Sequence, residues 1–251
     1  MEPSRLNACL TSDATLLAAA AVDGRTDAVV PSCPDWTLGD LLEHVTHVYD
    51  HKTQCMRLGK APDPWPPEHP RQGELLTRLR GALGDLLAEF DSRDPSSPSY
   101  TWYEPDQTVG FWIRRMAQET VIHRVDAEQA AGKPISPIDD DLAVDGVDEV
   151  LAIMLSWGSR TWIDEARPEL EKTAGKPVAI TAGSRSWTVK PTSDGVELAD
   201  GASPEAAAMI SGAPSQVLLW LWRRADYDSV AVEGDADAAR ELYDLLALFT
   251  S

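Results

Sequence analysis

The chain has 251 residues, 43% of them hydrophobic and 25% charged, which allows one large or two modest globular domains and excludes a mainly disordered or collagen-like chain. Acidic residues outnumber basic ones by 41 to 22, and the net charge of -19 disfavours nonspecific binding to nucleic acid or to an anionic membrane surface. The three cysteines form no C-x-x-C pattern, so we expect neither disulfide bonds nor a thiolate zinc site, and a cytoplasmic location. The longest apolar run near the start, residues 16–22, is shorter than the ~18 residues of a membrane span and follows no basic region, so we expect neither a membrane span nor a signal peptide.

The first part of the chain carries the apolar spacing of helices. This periodicity predicts helices at about residues 5–22, 38–58, 73–90, 108–131 and 139–163. Thr37 is a good N-cap for the second helix, and Gly132 with Pro134 ends the fourth. Clustered prolines predict surface loops at 59–70 and 94–106.

After about residue 168 the pattern changes to short β-type runs. Strands are predicted at about 178–181, 187–190, 196–198, 206–210 and 230–232, with helices at 214–224 and 235–249. We therefore expect an α+β protein with a helical N-terminal domain, residues 1–168, and a smaller α+β C-terminal domain, residues 169–251.

Glu119 and His123 suggest a metal site in the fourth predicted helix. Their spacing of four stacks them on one helix face, on the stripe of Trp112 and Met116 that faces the bundle interior. A carboxylate and a neutral imidazole are two of the ligands that zinc accepts. A helix-surface pair is the alternative interpretation.

His44, on the second predicted helix, is our choice for a third ligand, because facing helices of a bundle can bring such residues to one point. An interfacial histidine is also a common packing residue. His47 and His51 follow on the same side and are alternative ligands or solvated side chains. The pair Arg124 and Asp126 either orients ligands or forms a charged flank of the helix.

Motifs in both halves resemble one family. Residues 30–44 read V-x-x-C-P-x-W-T-x-x-D-L-x-x-H, and residues 119–127 read E-x-x-x-H-R-x-D-A. Residues 210–224, ISGAPSQVLLWLWRR, are followed by VEGD at 232–235. Together these segments resemble the mycothiol-dependent maleylpyruvate isomerase family, in which a DinB-like metal-binding four-helix bundle precedes a sterol-carrier-like domain.

The resemblance implies a zinc site, or a site for another divalent metal, held by His44, Glu119 and His123. It also implies mycothiol, a low-molecular-weight thiol, as cofactor or cosubstrate. Metal coordination would turn the thiol into a thiolate at neutral pH. The thiolate would add to the cis double bond of maleylpyruvate, and rotation and elimination would leave fumarylpyruvate. In transferases of the family, the thiol adduct is the product.

The resemblance further implies that an arginine of the second domain binds a substrate carboxylate, a task suited to its planar fork of donors. Arg224 fits that place best. The family often has glycine before this arginine, whereas this chain has Trp222, Arg223 and Arg224, so Arg223 is the alternative. Both arginines are also cations near a helix C-terminus, which the helix dipole favours.

We therefore predict an enzyme that acts on a small electrophile, as an isomerase or an S-transferase, with no nucleic-acid or membrane partner and as a monomer or homodimer. The rival hypothesis is a noncatalytic regulatory or ligand-carrier protein with a structural metal. A closed four-ligand site would favour that rival, because catalytic zinc keeps one position open.

Overall fold

The structure, a computed structural model, describes residues 1–23, 25–66 and 71–250. Contacts divide the chain into two compact units, Met1–Ser136 and Pro137–Ser251. The last part of the predicted loop at 59–70, residues 67–70, lies outside the described residues. Among the described helices, none is long and apolar enough to cross a membrane.

The first unit is a four-helix bundle. Its helices are α1 (Pro3–Asp23), α2 (Leu38–Leu58), α3 (Leu75–Asp91) and α4 (Val109–Ala130). Helix α1 packs on α3 and α4, and α2 also packs on α3 and α4, which closes the bundle. The apolar face of α2 is buried through Leu38, Leu41, Leu42, Val45 and Tyr49, which recur at helical spacing.

Helix α4 is buried on nearly all sides, including polar residues such as Gln118, Arg124 and Asp126. Polar groups in such a helix need partners, because burial without a hydrogen bond is costly. This helix therefore carries much of the polar chemistry of the unit.

A short hairpin lies between α1 and α2. Strand β1 (Val29–Val30) pairs antiparallel with β2 (Cys33–Thr37), with an irregular register between the two pairs. The sequence pattern does not predict these strands, because Pro31 and Pro34 interrupt the segment. Strand β2 leads directly into α2, and Thr37 is the N-cap of that helix, as predicted.

The second unit contains a five-stranded sheet. Its strands are β3 (Val178–Ala182), β4 (Arg185–Thr192), β5 (Gly195–Asp200), β6 (Ala208–Gly212) and β7 (Ala231–Gly234). The spatial order is β5-β4-β3-β6-β7, in which β3 and β6 are parallel and the other neighbours antiparallel. Helices α8 (Pro214–Leu221) and α9 (Ala236–Thr250) pack on β3 and β6.

The second unit begins with a helical part that runs from Asp140 to Leu170. It consists of α5 (Asp140–Glu149), a π-helical segment (Val150–Trp157), α6 (Gly158–Thr161) and α7 (Ile163–Leu170). Ser156 Oγ donates to the carbonyl of Val196 at 2.8 Å, and Trp187 Nε1 donates to Asp148 at 3.0 Å. The units thus divide after Ser136, whereas the predicted boundary follows residue 168, since periodicity does not reveal which core a helix joins.

The architecture confirms the predicted α+β class, with a helical bundle followed by a smaller sheet-containing part. Both described units have their own buried apolar residues.

Candidate metal centre

Three predicted ligand residues lie together in the bundle. One nitrogen or oxygen atom from each of His44, Glu119 and His123 falls within 4.8 Å of the others. Glu119 Oε1 is 3.4 Å from His44 Nε2 and 3.2 Å from His123 Nε2. The structure therefore brings the candidate ligands of α2 and α4 to one point, as their positions on facing helices suggested.

Helix packing explains this convergence. Glu119 and His123 are one turn apart on α4, and His44 lies one turn after Leu41, on the edge of the buried face of α2. Between the two helices, the hydroxyl groups of Tyr49 and Thr120 form a buried 2.6 Å hydrogen bond. This bond ties α2 to α4 next to the candidate ligands.

The electrostatics of the group favour a cation. Burial alone would raise the pKa of Glu119, but His123, His44 and Arg115 hold it well below its ordinary value. Burial alone would lower the pKa of His123, yet the carboxylates of Glu119 and Asp126 raise it to about 9. A fixed carboxylate beside two imidazoles is thus a place where positive charge is stabilised.

Two further polar residues fix the orientation of the candidate ligands. Asp126 Oδ2 accepts a 3.0 Å hydrogen bond from His123 Nδ1, and Arg115 Nη2 donates to Glu119 Oε2 at 2.9 Å. With its Nδ1 proton held by Asp126, His123 directs Nε2 toward Glu119 and His44, where a metal would take the place of the Nε2 proton. This donor set of two imidazoles and one carboxylate fits zinc, which commonly binds nitrogen and oxygen ligands with a carboxylate behind a histidine.

His47 and His51 point to a different place. The ring of His47 lies near Glu43 and Trp65, and the ring of His51 packs edge-on against Trp65 at 4.7 Å between centroids. Over the ranges that the structure describes, neither belongs to the group of candidate ligands. Within the described part of the chain, the group therefore has three candidate ligands.

Arg124 and Asp126 have separate roles. Asp126 contacts His123, as one interpretation of the sequence proposed. Arg124 is fully buried and donates to Asp13 at 3.0 Å, to Glu128 at 2.8 Å and to the carbonyl of Ser136 at 2.7 Å. It links α1, α4 and the segment that leaves α4.

Arg115 and Lys52 are neighbours of the candidate ligands that the sequence pattern does not predict. Arg115 lies four residues before Glu119, a spacing that could have revealed an ion pair on α4. The ammonium of Lys52 lies 5.2 Å from the ring centroid of Trp112 and donates to His51 Nδ1 at 3.2 Å. Burial lowers the pKa of Lys52, and the Glu119 carboxylate opposes that shift. No sequence pattern marked this lysine as a neighbour of the group.

The second unit holds Arg223 and Arg224 at the end of α8. Arg223 has a φ of 59°, the left-handed conformation that favours glycine. Its amide bonds to the carbonyl of Trp220 at 3.0 Å, and the amide of Arg224 bonds to that of Leu219 at 2.8 Å, which is the Schellman arrangement that glycine usually completes. Arg223 therefore occupies the position of this helix end at which glycine is usual, and Arg224 follows it.

The side chains of both arginines have partners within the second unit. Arg223 lies over the ring of Tyr243, with its guanidinium carbon 4.2 Å from the centroid. Arg224 is buried, and its Nη1 donates to the carbonyls of Trp222 at 2.8 Å and Thr250 at 2.7 Å. These contacts fix the guanidinium of Arg224 to backbone oxygens.

Comparison with known proteins identifies relatives for both halves. A family model described as "Mycothiol maleylpyruvate isomerase N-terminal domain" matches residues 8–128, and one described as "MDMPI C-terminal domain" matches residues 141–241. Together they span nearly the whole chain. No curated protein matches the sequence.

Solved structures share the fold. A crystal structure of a mycothiol-dependent maleylpyruvate isomerase superposes with a TM-score of 0.64 at 13% identity, covering 94% of this chain and 95% of that one. A histidine-to-alanine mutant of such an isomerase gives 0.61 at 12% identity, with the same coverage. Since family models match both halves and the fold is shared over nearly the full length, the chain belongs to the mycothiol maleylpyruvate isomerase family.

Proposed function

We propose that this protein is a mycothiol-dependent isomerase that converts maleylpyruvate to fumarylpyruvate, with zinc held by His44, Glu119 and His123. The observation that carries the proposal is the convergence of these three side chains in a member of this family. Transfer of the thiol to another small electrophile is the alternative reaction for the same residues.

The chemistry of the site divides between the bound groups and the protein. Zinc, when bound, would supply a Lewis acid that lowers the pKa of a coordinated thiol from its ordinary value of about 8.5. The protein holds His123 through Asp126 and Glu119 through Arg115. Three protein ligands suit catalysis, because catalytic zinc sites keep a position for an external ligand.

Zinc content tests the metal part of the proposal. We expect purified protein to bind about one zinc, and His123→Ala to lose it. His47→Ala is the matched control, because His47 is also on α2 but contacts Glu43 and Trp65. Equal zinc content in wild type and His123→Ala would remove these ligands from consideration.

Turnover tests the reaction. We expect the zinc-loaded protein to form fumarylpyruvate only when mycothiol is present. Accumulation of a stable thiol adduct instead would assign the transferase reaction. Zinc binding without thiol-dependent consumption of maleylpyruvate or of a panel of electrophiles would favour the noncatalytic hypothesis.

We propose, from the resemblance to the family, that Arg224 binds the substrate carboxylate, for which its guanidinium would have to exchange its bonds to the carbonyls of Trp222 and Thr250. The left-handed backbone at Arg223, a conformation that favours glycine, supports the choice of Arg224 over Arg223. Arg224→Met should raise KM for a carboxylate substrate about tenfold or more, since a charge-assisted bidentate contact is lost. Arg223→Met, the matched control, should change KM little. A larger rise in KM for Arg223→Met than for Arg224→Met would show that Arg223 binds the carboxylate.

One cavity of the second unit bears on the lipid-carrier version of the rival hypothesis. A cavity of about 650 Å³ lies against β4 and β5, but its lining includes Arg160, Lys190, Glu197 and Glu205. Charged walls suit a polar ligand better than a sterol. Cys9, Cys33 and Cys55 form no disulfide bond, which supports the proposal of a reducing, cytoplasmic location.

A further inference from the structure

The hairpin β1–β2 is linked to both histidines of the candidate metal centre, to His123 through Asp126 and to His44 directly. It is a well-anchored element, because the amide of Leu38 donates to Ala28 at 2.7 Å and that of Gly39 donates to Thr26 at 2.8 Å. These bonds join the chain before β1 to the first turn of α2. The hairpin is thereby fixed to the helix that carries His44.

The first route runs through Ser32, in the connection between the two strands. Ser32 Oγ donates to Asp126 Oδ1 at 2.6 Å, and Asp126 Oδ2 accepts from His123 Nδ1 at 3.0 Å. Asp126 is fully buried, so its carboxylate oxygens need such donors. With Oδ1 held by Ser32, the carboxylate keeps Oδ2 directed at the imidazole.

The second route is a ring contact. The indole of Trp36, on β2, lies 4.8 Å from the His44 ring between centroids, at an interplanar angle of 47°. His44 is the more exposed of the two histidines, with 35% of its side chain accessible. A large ring against this imidazole restricts its rotation where the bundle itself leaves it partly free.

We propose that the β1–β2 hairpin is the element that positions both histidine ligands, with Ser32 acting on His123 through Asp126 and Trp36 acting on His44 directly. The inference rests on the proposed metal site, and it assigns Ser32 and Trp36 as positioning residues. It does not depend on which electrophile the protein uses.

Zinc affinity, measured by competition with a chromogenic chelator, tests the proposal. Ser32→Ala should weaken zinc binding about tenfold, in the range found for partners that orient metal-bound histidines. Ser32→Thr keeps the hydroxyl and should restore affinity. Trp36→Leu should weaken binding roughly threefold or more, and the double variant with Ser32→Ala should bind zinc more weakly than either single variant. Ser92→Ala, which removes a hydroxyl at the end of α3, is the control.

A second readout separates positioning from general destabilisation. The absorption spectrum of the cobalt-substituted protein at saturating metal reports ligand geometry, and it should change in Ser32→Ala and Trp36→Leu but not in Ser92→Ala. A variant that only lowers the midpoint of unfolding would keep the wild-type spectrum. Trp36→Phe replaces Trp36→Leu if the latter does not fold.

The outcomes distinguish this inference from the proposed function. Wild-type affinity and spectrum in both Ser32→Ala and Trp36→Leu would overturn the hairpin proposal while leaving the metal site intact. Altered affinity in these variants, in a protein without thiol-dependent turnover, would support the hairpin proposal and contradict the proposed reaction. If the wild type binds no zinc, or if its zinc binding does not depend on His123, both the hairpin proposal and the proposed metal site are wrong.

Discussion

At the scale of single residues, the cysteines illustrate how burial controls reactivity. Cys55 is fully buried, and burial raises the pKa of its thiol to about 11, although Lys52 opposes the shift. Cys9 is also buried, whereas Cys33 is partly exposed. The nucleophile in thiol chemistry is the thiolate, so these three groups should differ widely in rate.

We therefore predict that one thiol per chain reacts rapidly with an aromatic disulfide reagent at pH 8, and that the other two react only after denaturation. Cys33→Ser should abolish the rapid phase, whereas Cys55→Ser should leave it unchanged. A rapid phase of two or three thiols in the native protein would contradict the burial of Cys9 and Cys55.

The candidate site was predictable only in part. The spacing of Glu119 and His123 is a property of one helix, so the sequence alone predicts that they share a face. The choice of His44 as a third ligand rests on the assumption that its helix faces that of Glu119, and the resemblance to a family supports that choice. Ser32 lies 94 positions before its partner Asp126, and no periodicity relates a loop hydroxyl to a buried carboxylate at that separation.

At the scale of elements, the start of α2 depends on a reciprocal cap. Thr37 Oγ1 accepts from the amide of Asp40 at 3.2 Å, and Asp40 Oδ2 accepts from the amide of Thr37 at 2.9 Å. These bonds satisfy two amides that the helix itself leaves without partners. Hydrogen bonds from the hydroxyl and the amide of Thr37 to the Asp40 carboxylate hold the pKa of Asp40 below its ordinary value.

Removing this cap should destabilise the protein. We expect Thr37→Ala to lower the free energy of unfolding by about 1 kcal/mol, and Thr37→Ser to have a smaller effect because it keeps the hydroxyl. Urea denaturation measures both. Equal stability of Thr37→Ala and the wild type would show that the cap contributes nothing.

Arg124 connects elements that are far apart in the chain. Its removal would leave the carboxylates of Asp13 and Glu128 buried without their cation. We expect Arg124→Met to cost about 3–5 kcal/mol in unfolding free energy, the range for breaking a buried ion pair.

The control for this variant is Arg57→Met. Arg57 is substantially exposed and pairs with Glu89 at 2.6 Å, so its loss should cost less than about 1 kcal/mol. Urea denaturation of both variants provides the comparison. Similar losses would mean that the Arg124 network stabilises no more than a surface pair.

The elements themselves were mostly predictable, for physical reasons that differ between them. Long helices such as α2 and α4 carry caps and apolar periods over five or six turns, which leaves little ambiguity. The two-residue strand β1 is too short to show the alternation of apolar and polar residues that marks a strand, and Pro31 and Pro34 are unfavourable to strand prediction. The π-helical segment 150–157 kept an apolar pattern indistinguishable from an ordinary helix.

At the scale of the whole molecule, metal binding should raise stability by mass action. A ligand that binds only the folded state stabilises it by about 2.7 kcal/mol at 100 times its Kd. We expect zinc to raise the thermal midpoint of the wild type and a chelator to lower it. His123→Ala should show neither shift, and an equal shift in that variant would place the bound zinc elsewhere.

Division of the chain into two units has a consequence for prediction at this scale. The helical pattern of residues 139–163 resembles that of the bundle helices, yet these residues join the unit that contains the sheet. Hydrophobic periodicity indicates that one face of a helix is buried, but it does not indicate which element that face packs against. Only the three-dimensional contacts show that residues 139–163 belong to the second unit.

The left-handed backbone at Arg223 also bears on how distant relatives should be aligned. At 13% identity, residue matches alone cannot fix the register of a two-arginine sequence. A glycine in a relative is best placed opposite Arg223, whose φ is 59°, because the preceding Trp222 has an ordinary φ of -81°. The shape of one helix end thus supplies an alignment anchor that the letters of the sequence do not.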